Sequence, residues 1–539
     1  MDLFSRILES RGLSGNDRDK FLNPKYNDLY DPFLLPDMDK AVDRLILARS
    51  KKETILVYGD YDIDGIAATT LLVEALGKLG FSGVDYYIPN RFSDGYGLSL
   101  ESLKKLINKG YSLVITVDCG SLSDQEIRFA NSKMIDVIVT DHHNPAKKQP
   151  PALAVINPKR DDSNYPFSDL AGVGVAFKLV QALQRKIEGF SLGQEKWLLD
   201  LVCLGTICDI VPLVDENRIL AYWGIKVLDK TRRYGLLSLV SIAGGFEDIN
   251  SRFIGYRLGP RLNAAGRLET AEHAIKLLRS NNKDESDELA KLLDELNNAR
   301  QLEQAKIIKE ALVKAKKYEK DKVLVLASKD WHAGVVGIAA AKVAELLKKP
   351  TYILQDLGLE LKGSARSFWG FNVSGAIDYS RRLVVSGGGH NLAAGVSLSK
   401  KNLVAFRKSL NQYYKETIKS DEKIIIKEDT VANLDELNES NFRAIGKMEP
   451  FGCSNPQPVL RTNNLVVESL KKMGDHNQHI KYCLSDGRSR VDFLHFNSNE
   501  SQVALVGDLV NVWYYLDLND WRGYKAIQGK IINLEVATA

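Results

Sequence analysis

Val57-Tyr58-Gly59-Asp60-Tyr61-Asp62-Ile63-Asp64-Gly65 places three aspartates at alternate positions directly behind a short apolar run, TILVYGD (54–60). Like charges this close repel, so the run is costly unless a cation neutralises it. The same grammar returns twice. LVITVDCG (113–120) and VIVTDHH (137–143) are runs rich in Val, Ile and Thr that also end on an aspartate, and helix-like stretches such as GIAATTLLVEALGKLG (65–80) lie between the runs. Strands alternating with helices make a parallel sheet. Open α/β sheets bind ligands at the carboxyl ends of their strands, so one site built from several strand ends is expected.

The residues in that site suggest its chemistry. Asp60, Asp62 and Asp64 follow the first run, Asp118 the second, Asp141, His142 and His143 the third, and Asp209 lies further on in CDIVPL (208–213). A single Asp behind a strand is more often a helix N-cap than a ligand. Three consecutive strand ends that are all acidic change that balance. Carboxylates mixed with imidazole suit Mn²⁺ or Mg²⁺, and a cluster this rich suits two ions sharing a ligand. Two-metal phosphoester hydrolysis is the chemistry such a cluster serves.

Further along, residues 231 to 280 read as irregular, and the charged, Leu-spaced stretch from about 283 to 320 lacks Gly and Pro and predicts one long helix joining two lobes. A second α/β block begins at KVLVLAS (322–328) and runs to about 420. After an acidic connector (427–440), short alternating runs with frequent turns from about 457 predict a small β barrel. Residues 1 to 40 read as a helical lead-in.

Composition narrows the class. At 539 residues the chain suggests three or four domains, and 44% hydrophobic with 26% charged residues excludes a disordered or fibrous protein. Five cysteines without a CxxC pair fit a reducing compartment. The start has no signal-like segment and no apolar stretch is long enough to span a bilayer, so a cytoplasmic protein with no membrane partner is expected. A net charge of +4 on 60.1 kDa does not announce a nucleic-acid binder, so any polyanion site rests on local clustering.

Together, the DxDxDG run, VDCG, TDHH and DIVPL resemble the motifs of the DHH phosphoesterase superfamily. GPRLNAAGRL (259–268), WHAGVVGIAA (331–340), GSARS (363–367) and SGGGH (386–390) resemble the RecJ family of that superfamily and its DHHA1 domain. EPFGCSNPQPVL (449–460), HIKYCLSD (479–486) and WRGYKAIQGKIINLE (521–535) are similar to the oligonucleotide-binding (OB) domain of the family. The resemblance spans nearly the whole chain. It implies two α/β lobes, DHH at 41–280 and DHHA1 at 321–425, joined by a long helix (281–320) and followed by an OB-fold barrel (426–539), with 1–40 as lead-in.

By that resemblance Asp60, Asp62, Asp64, Asp118, His142 and Asp209 ligate two Mn²⁺ or Mg²⁺ ions, and Asp118 bridges them. Asp62, Asp118 and His143 count as catalytic, His143 by approaching the scissile phosphate. Arg91, Arg267, Ser364 and Arg366 match the pocket that grips the 5′ phosphate, with Asn263 and Arg261 nearby as further substrate-binding candidates, and the planar fork of arginine pairs two oxygens at once. His390, after three glycines, falls where backbone approaches substrate, although GGGH taken without the other motifs reads first as a tight turn with an incidental His. The implied activity is a 5′-to-3′ single-stranded-DNA exonuclease that releases mononucleotides in recombination and repair. A monomer is expected, with a single-strand-binding protein or a helicase as the kind of protein partner.

Two departures stand out. Residues 426–539 hold 12 Lys plus Arg against 15 Asp plus Glu, a net of −3, so strand contact there rests on a local groove and on aromatics such as Phe493, Phe496, Trp513, Tyr514 and Trp521, which suit a barrel core equally well. The sequence also ends just after the OB-like region, where longer relatives carry a further domain associated with protein partners. The competing readings are a DHH phosphodiesterase for short oligonucleotides or cyclic dinucleotides, a catalytically silent DNA-binding scaffold, and a DHH-type pyrophosphatase. The OB-like tail argues against the first and third, and the complete ligand set against the second.

Overall fold

Five short strands whose residues are almost all apolar are the first framework: β1 (Ile55–Gly59), β2 (Val84–Tyr87), β3 (Leu113–Val117), β4 (Asp136–Thr140) and β5 (Ala154–Ile156). In the computed structural model they form an all-parallel sheet in the order β2-β1-β3-β4-β5. Every residue of β1 and β3 is buried, as expected for strands covered on both faces. Helices Ile63–Lys78, Gly172–Lys186 and Leu199–Cys208 pack into the core on one face, and Leu100–Ile107 and Asp124–Ser132 cover the other. The strand order reverses between β1 and β3, which puts the ligand crevice beside Asp60 and Asp118. The structure describes residues 1–539 apart from 96, 419–425, 475–476, 499–502, 522–523 and 538–539.

Residues 231–280, expected to be irregular, are mostly helical: Tyr234–Ala243, a π turn at Ile254–Leu258, Gly259–Leu268 and Glu272–Arg279. The glycines that hide the helical period are there for close packing. A Cβ at Gly235 would lie 1.9 Å from the Leu277 carbonyl oxygen, and one at Gly259 would lie 2.5 Å from Cys208 Sγ.

Helix Lys283–Ala315 runs 33 residues, about 50 Å at 1.5 Å per residue. Its first half gives Ala290, Leu293 and Leu296 to the core of the first lobe, and its second half gives Ile307, Ala311 and Ala315 to the next. One rigid rod therefore sets the spacing of both lobes. The second sheet contains β6 (Leu324–Ser328), β7 (Thr351–Asp356), β8 (Glu360–Arg366), β9 (Ser386–Gly389) and β10 (Ala393–Ser399) in the order β6-β7-β8-β10-β9. Only β6 and β7 pair in parallel. SGGG is thus an edge strand, not a turn.

The last unit has β11 (Thr430–Val431), β12 (Leu460–Met473), β13 (His479–Ser485), β14 (Arg490–His495), β15 (Leu509–Trp521) and β16 (Tyr524–Val536). The β12–β15 pairing closes a five-stranded barrel, with β11 added at its side. Phe493 and Tyr514 are wholly buried in it, and Trp513 is nearly so, its Nε1 donating to Glu428. Phe496 is 48% exposed, and the Trp521 side chain lies outside the described residues. The barrel core also takes Leu3, Ile7 and Leu8 from the first helix, Leu3–Ser10, which Arg6 ties to Glu436 at 2.8 Å. The start of the expected lead-in thus packs in the barrel core, while Leu35 and Met38 join the core of the first lobe. Among the described residues no helix is long and apolar enough to cross a membrane.

Candidate metal centre and phosphate pocket

The chain turns sharply after β1. Asp62 N-caps helix Ile63–Lys78, its Oδ1 accepting from Asp64 N at 3.0 Å and Gly65 N at 3.3 Å. Asn263 braces the same turn, its Oδ1 accepting from Ile63 N at 3.0 Å. Only glycine fits at 65, where a Cβ would lie 2.6 Å from the Asp60 backbone. The Asp64 carboxylate sits on the amino terminus of helix Gly172–Lys186, accepting from Gly172 N at 2.6 Å and Val173 N at 3.0 Å. Asp118 leaves β3 in the left-handed region (φ 61°), which costs a non-glycine residue free energy and is characteristic of functional positions.

These turns bring the acidic residues and imidazoles together in three overlapping groups: Asp60, Asp62 and Asp118; Asp118, His142 and His143; and Asp64, His142 and Asp209. Within each group the ligand atoms lie within 4.8 Å of one another. Asp118 is common to the first two groups and His142 to the last two. His142 Nε2 stands 3.1 Å from Asp118 Oδ1, 3.6 Å from Asp209 Oδ2 and 3.9 Å from Asp64 Oδ2. Asp141 is turned to a different task. It accepts from Ser121 N, His142 N and His143 N, and its Oδ1 is 2.8 Å from His143 Nδ1.

The electrostatics separate the two histidines. Burial, helped by the charge of His143, pushes His142 down to about 3, so it is a neutral imidazole suited to ligation. Burial also works against a charged His143, but the hydrogen bond and charge of Asp141 outweigh it and hold His143 at about 9. Burial first, and then neighbouring carboxylates, raise Asp60, Asp64, Asp118 and Asp209 above the usual carboxylate range. Among the described residues, Asp60 Oδ1, Asp118 Oδ1 and both ring nitrogens of His142 are buried without a hydrogen-bond partner. Each such atom costs about 1–3 kcal/mol if left alone. Divalent cations would satisfy these atoms and relieve the repulsion, so the donor set fits a hard or borderline metal.

Beside this cluster lies a positive pocket. Arg91 stacks on Tyr61 at 4.2 Å, next to the DxDxDG turn. Arg267 Nη1 donates to Gly334 O of the second lobe at 3.3 Å. Across the cleft, a Cβ at Gly337 would lie 3.2 Å from Ser364 Oγ and 3.3 Å from Arg366 Nη2, which places both side chains at the start of helix Val336–Leu347. Burial, then Arg91 and Arg300, lower Arg267 to about 10, and burial lowers Arg366. Among the described residues no carboxylate pairs with Arg91, Arg267, Arg300 or Arg366. Guanidinium groups without a carboxylate partner gathered in one cleft form an anion site, although Arg300 is partly spent on Gln304 Oε1 and Asn297 Oδ1 of its own helix.

The structure thus brings Asp60, Asp62, Asp64, Asp118, His142, His143 and Asp209 into one cluster, and Arg91, Arg267, Ser364 and Arg366 around the adjoining cleft. Arg261 points elsewhere, its Nε pairing with Asp294 of the long helix at 2.8 Å. Asn263 braces the metal turn, and His390 stands exposed at the end of edge strand β9. Sequence reasoning missed Arg300, which is hidden in the charged pattern of the long helix. It also missed the helix start that caps Asp64, for which the glycine pair in AGVGVAFK (171–178) was the available signal.

A parallel sheet with acidic strand ends, a neutral buried histidine and an adjoining arginine cleft define a metal-dependent phosphoesterase of the DHH class. Family models agree along the chain: "DHH family, N-terminal domain" matches residues 54–206, "DHHA1 domain" 320–416 and "RecJ OB domain" 428–533. The chain belongs to the RecJ family. It is 36% identical to the single-stranded-DNA-specific exonuclease RecJ of Bacillus subtilis over 98% of this chain and 67% of that protein. It is 34% identical to the Haemophilus influenzae RecJ over 98% and 95%. The crystal structure of RecJ in complex with Mn²⁺ from Thermus thermophilus superposes with a TM-score of 0.86, 27% identity and coverage of 99% of this chain and 76% of that one.

Proposed function

We propose that this protein is a single-stranded-DNA-specific exonuclease that releases mononucleotides in the 5′-to-3′ direction and acts in recombination and repair. The observation that carries the reading is the junction of the three ligand groups, through Asp118 and His142, with an arginine cleft that has no carboxylate partner among the described residues. Asp60, Asp62, Asp64, Asp118, His142 and Asp209 would hold two Mn²⁺ or Mg²⁺ ions. When bound, such ions supply charge neutralisation and water activation at a phosphodiester. The functional units are taken as 41–280, 321–425 and 426–539, with 281–320 as connector.

The remaining work falls to the chain. His143, held charged by Asp141, donates to a non-bridging phosphate oxygen as negative charge builds. Arg91, Arg267, Ser364 and Arg366 grip the terminal phosphate, so the strand end defines where the cut falls. The lobes touch at Arg267 and Gly334, and a cleft narrow enough for one strand would exclude a duplex. The barrel holds the downstream strand. A single-strand-binding protein or a helicase would be its working partner, and the protein would act as a monomer in the cytoplasm.

Digestion of one single-stranded DNA oligomer, labelled separately at each end, tests this with Mn²⁺, Mg²⁺ or EDTA beside Asp118→Ala. The expected result is immediate release of the 5′ label as mononucleotide, only with metal, only from single strands, and not with the variant. Cleavage confined to di- to tetranucleotides would replace the reading with a short-oligonucleotide phosphodiesterase. Binding without cleavage would make the chain a scaffold.

A further inference from the structure

Asp209 differs from the other residues of the metal cluster in how it is held. Its side chain is 27% exposed, against 1%, 3% and 7% for Asp64, Asp118 and His142, and His143, at 35%, is more open still. No strand end carries it. It caps the carboxyl end of helix Leu199–Cys208 and is followed by Ile210 in the left-handed region (φ 60°) and a short crossing to helix Asp215–Leu228. A ligand on such a crossing is only as well placed as whatever fixes the crossing.

Asn217 Nδ2, on the following helix, donates to Pro212 O at 3.0 Å, and the rest of what fixes the crossing comes from the last unit of the chain. Leu213 N donates to Cys453 O at 2.8 Å. A Cβ at Gly452 would lie 2.6 Å from Leu213 Cδ1 and 3.2 Å from its Cγ, so a side chain there would have to displace a buried leucine. The buried Arg218 guanidinium donates to Met448 O and Glu449 O at 3.0 Å each and to Phe21 O at 2.9 Å. Ser251 Oγ donates to Phe451 O at 2.6 Å. Inside the loop, Asn455 Nδ2 donates to Met448 O and Pro450 O, and its Oδ1 accepts from Arg11. Thus loop 448–455, which leads into the barrel, is bonded on one side to the Asp209 crossing and on the other to the helical scaffold beneath it.

We propose that loop 448–455 is a positioning element of the metal centre. By holding segment 210–213 it sets the reach of the Asp209 carboxylate, so the barrel unit helps to build the metal site as well as to hold DNA. This rests on Asp209 being a metal ligand, as proposed above. Substituting partners of metal ligands commonly costs 10- to 100-fold in metal affinity.

The test uses the full-length protein and Mn²⁺ alone, with free Mn²⁺ followed by electron paramagnetic resonance. The variants are Gly452→Ala, Ser251→Ala and Asp209→Asn, with melting temperature as the check on folding. Gly452→Ala is expected to weaken the more weakly held Mn²⁺ about tenfold and Ser251→Ala by less. In both, half-saturating Mn²⁺ for nuclease activity rises in step, and the rate at saturating Mn²⁺ is retained. If Asp209→Asn leaves Mn²⁺ binding unchanged, the ligand reading itself is wrong. If Asp209→Asn weakens binding while the folded Gly452→Ala and Ser251→Ala proteins bind Mn²⁺ like the parent, the loop has no positioning role and the proposal is overturned.

Discussion

Gly334 passes so close to Arg267 that any side chain at 334 would overlap the Arg267 carbonyl oxygen, at 1.9 Å. The two residues belong to different lobes, and Arg267 Nη1 also donates to Gly334 O. The width of the cleft is therefore set by a backbone-to-backbone contact. Gly334→Ala should push the lobes apart and lower kcat/KM on single-stranded DNA at least about tenfold, because a misplacement near 1 Å costs up to 10²-fold. Mn²⁺ affinity should not change, since the ligands all lie on one side of the contact. Exonuclease assays beside a Mn²⁺ titration check both halves.

The arginine cleft makes a prediction about strand ends. Arg267→Gln and Arg366→Gln each remove a charged hydrogen bond worth about 1.5–3 kcal/mol, a loss of roughly 10- to 150-fold in kcat/KM on 5′-phosphorylated strands. The loss should be smaller on strands ending in a 5′ hydroxyl, so discrimination between the two ends falls. Competition between the two substrates in one reaction measures it. Equal losses on both ends would remove the cleft from phosphate recognition.

Crowded carboxylates imply that the metal-free fold is under electrostatic strain. Asp118→Asn removes the charge shared by two ligand groups, so the metal-free variant should melt higher than the parent. Mn²⁺ at a hundred times its dissociation constant should stabilise the parent by about 2.7 kcal/mol and the variant hardly at all. Scanning calorimetry with and without Mn²⁺ reads both effects.

A pH effect is expected from Glu449, which is not itself a metal ligand. Burial, and then Asp248, raise Glu449 from an ordinary 4.5 to about 7. The folded state therefore favours the neutral acid. Its cost to stability is absent below about pH 4.5, grows as pH rises, and is complete above about pH 7. Glu449→Gln should match the parent near pH 4.5 and exceed it by about 1–3 kcal/mol at pH 8, visible as a melting temperature a few degrees higher.

The barrel aromatics divide into two groups. Phe493→Ala removes a fully buried ring and should cost about 3–5 kcal/mol of stability. Phe496→Ala, at a 48% exposed ring, should leave the melting temperature unchanged and weaken strand binding by about 1–3 kcal/mol if bases stack there. Denaturation and fluorescence-anisotropy titrations distinguish the two.

Legibility in the sequence follows how local each feature is. The strand ends carrying Asp60, Asp118 and His142 could be read because strand, turn and ligand lie within ten residues and repeat. The long helix showed itself through unbroken spacing. The helices between 231 and 280 did not, because glycines chosen for close packing, such as Gly235 and Gly259, look like breaks when their neighbours are unknown. Arg261 and Arg267 share one motif, yet one serves Asp294 and the other faces the cleft, a difference set by the rotation of a helix against a partner from elsewhere in the chain. The contact of loop 448–455 with the Asp209 crossing joins segments more than 200 residues apart, and no local pattern encodes it.

The first helix has a timetable of its own. Arg6 and Glu436 are 430 positions apart, yet they are joined at 2.8 Å, with Leu3, Ile7 and Leu8 in the same barrel core. At about 5–20 residues per second a ribosome needs roughly 20 to 90 s to bring Glu436 out after Arg6. For that interval the nascent helix exposes an apolar face with nothing to cover it, while the catalytic lobes are completed behind it. A segment made this long before its partners is thus among the last to be buried.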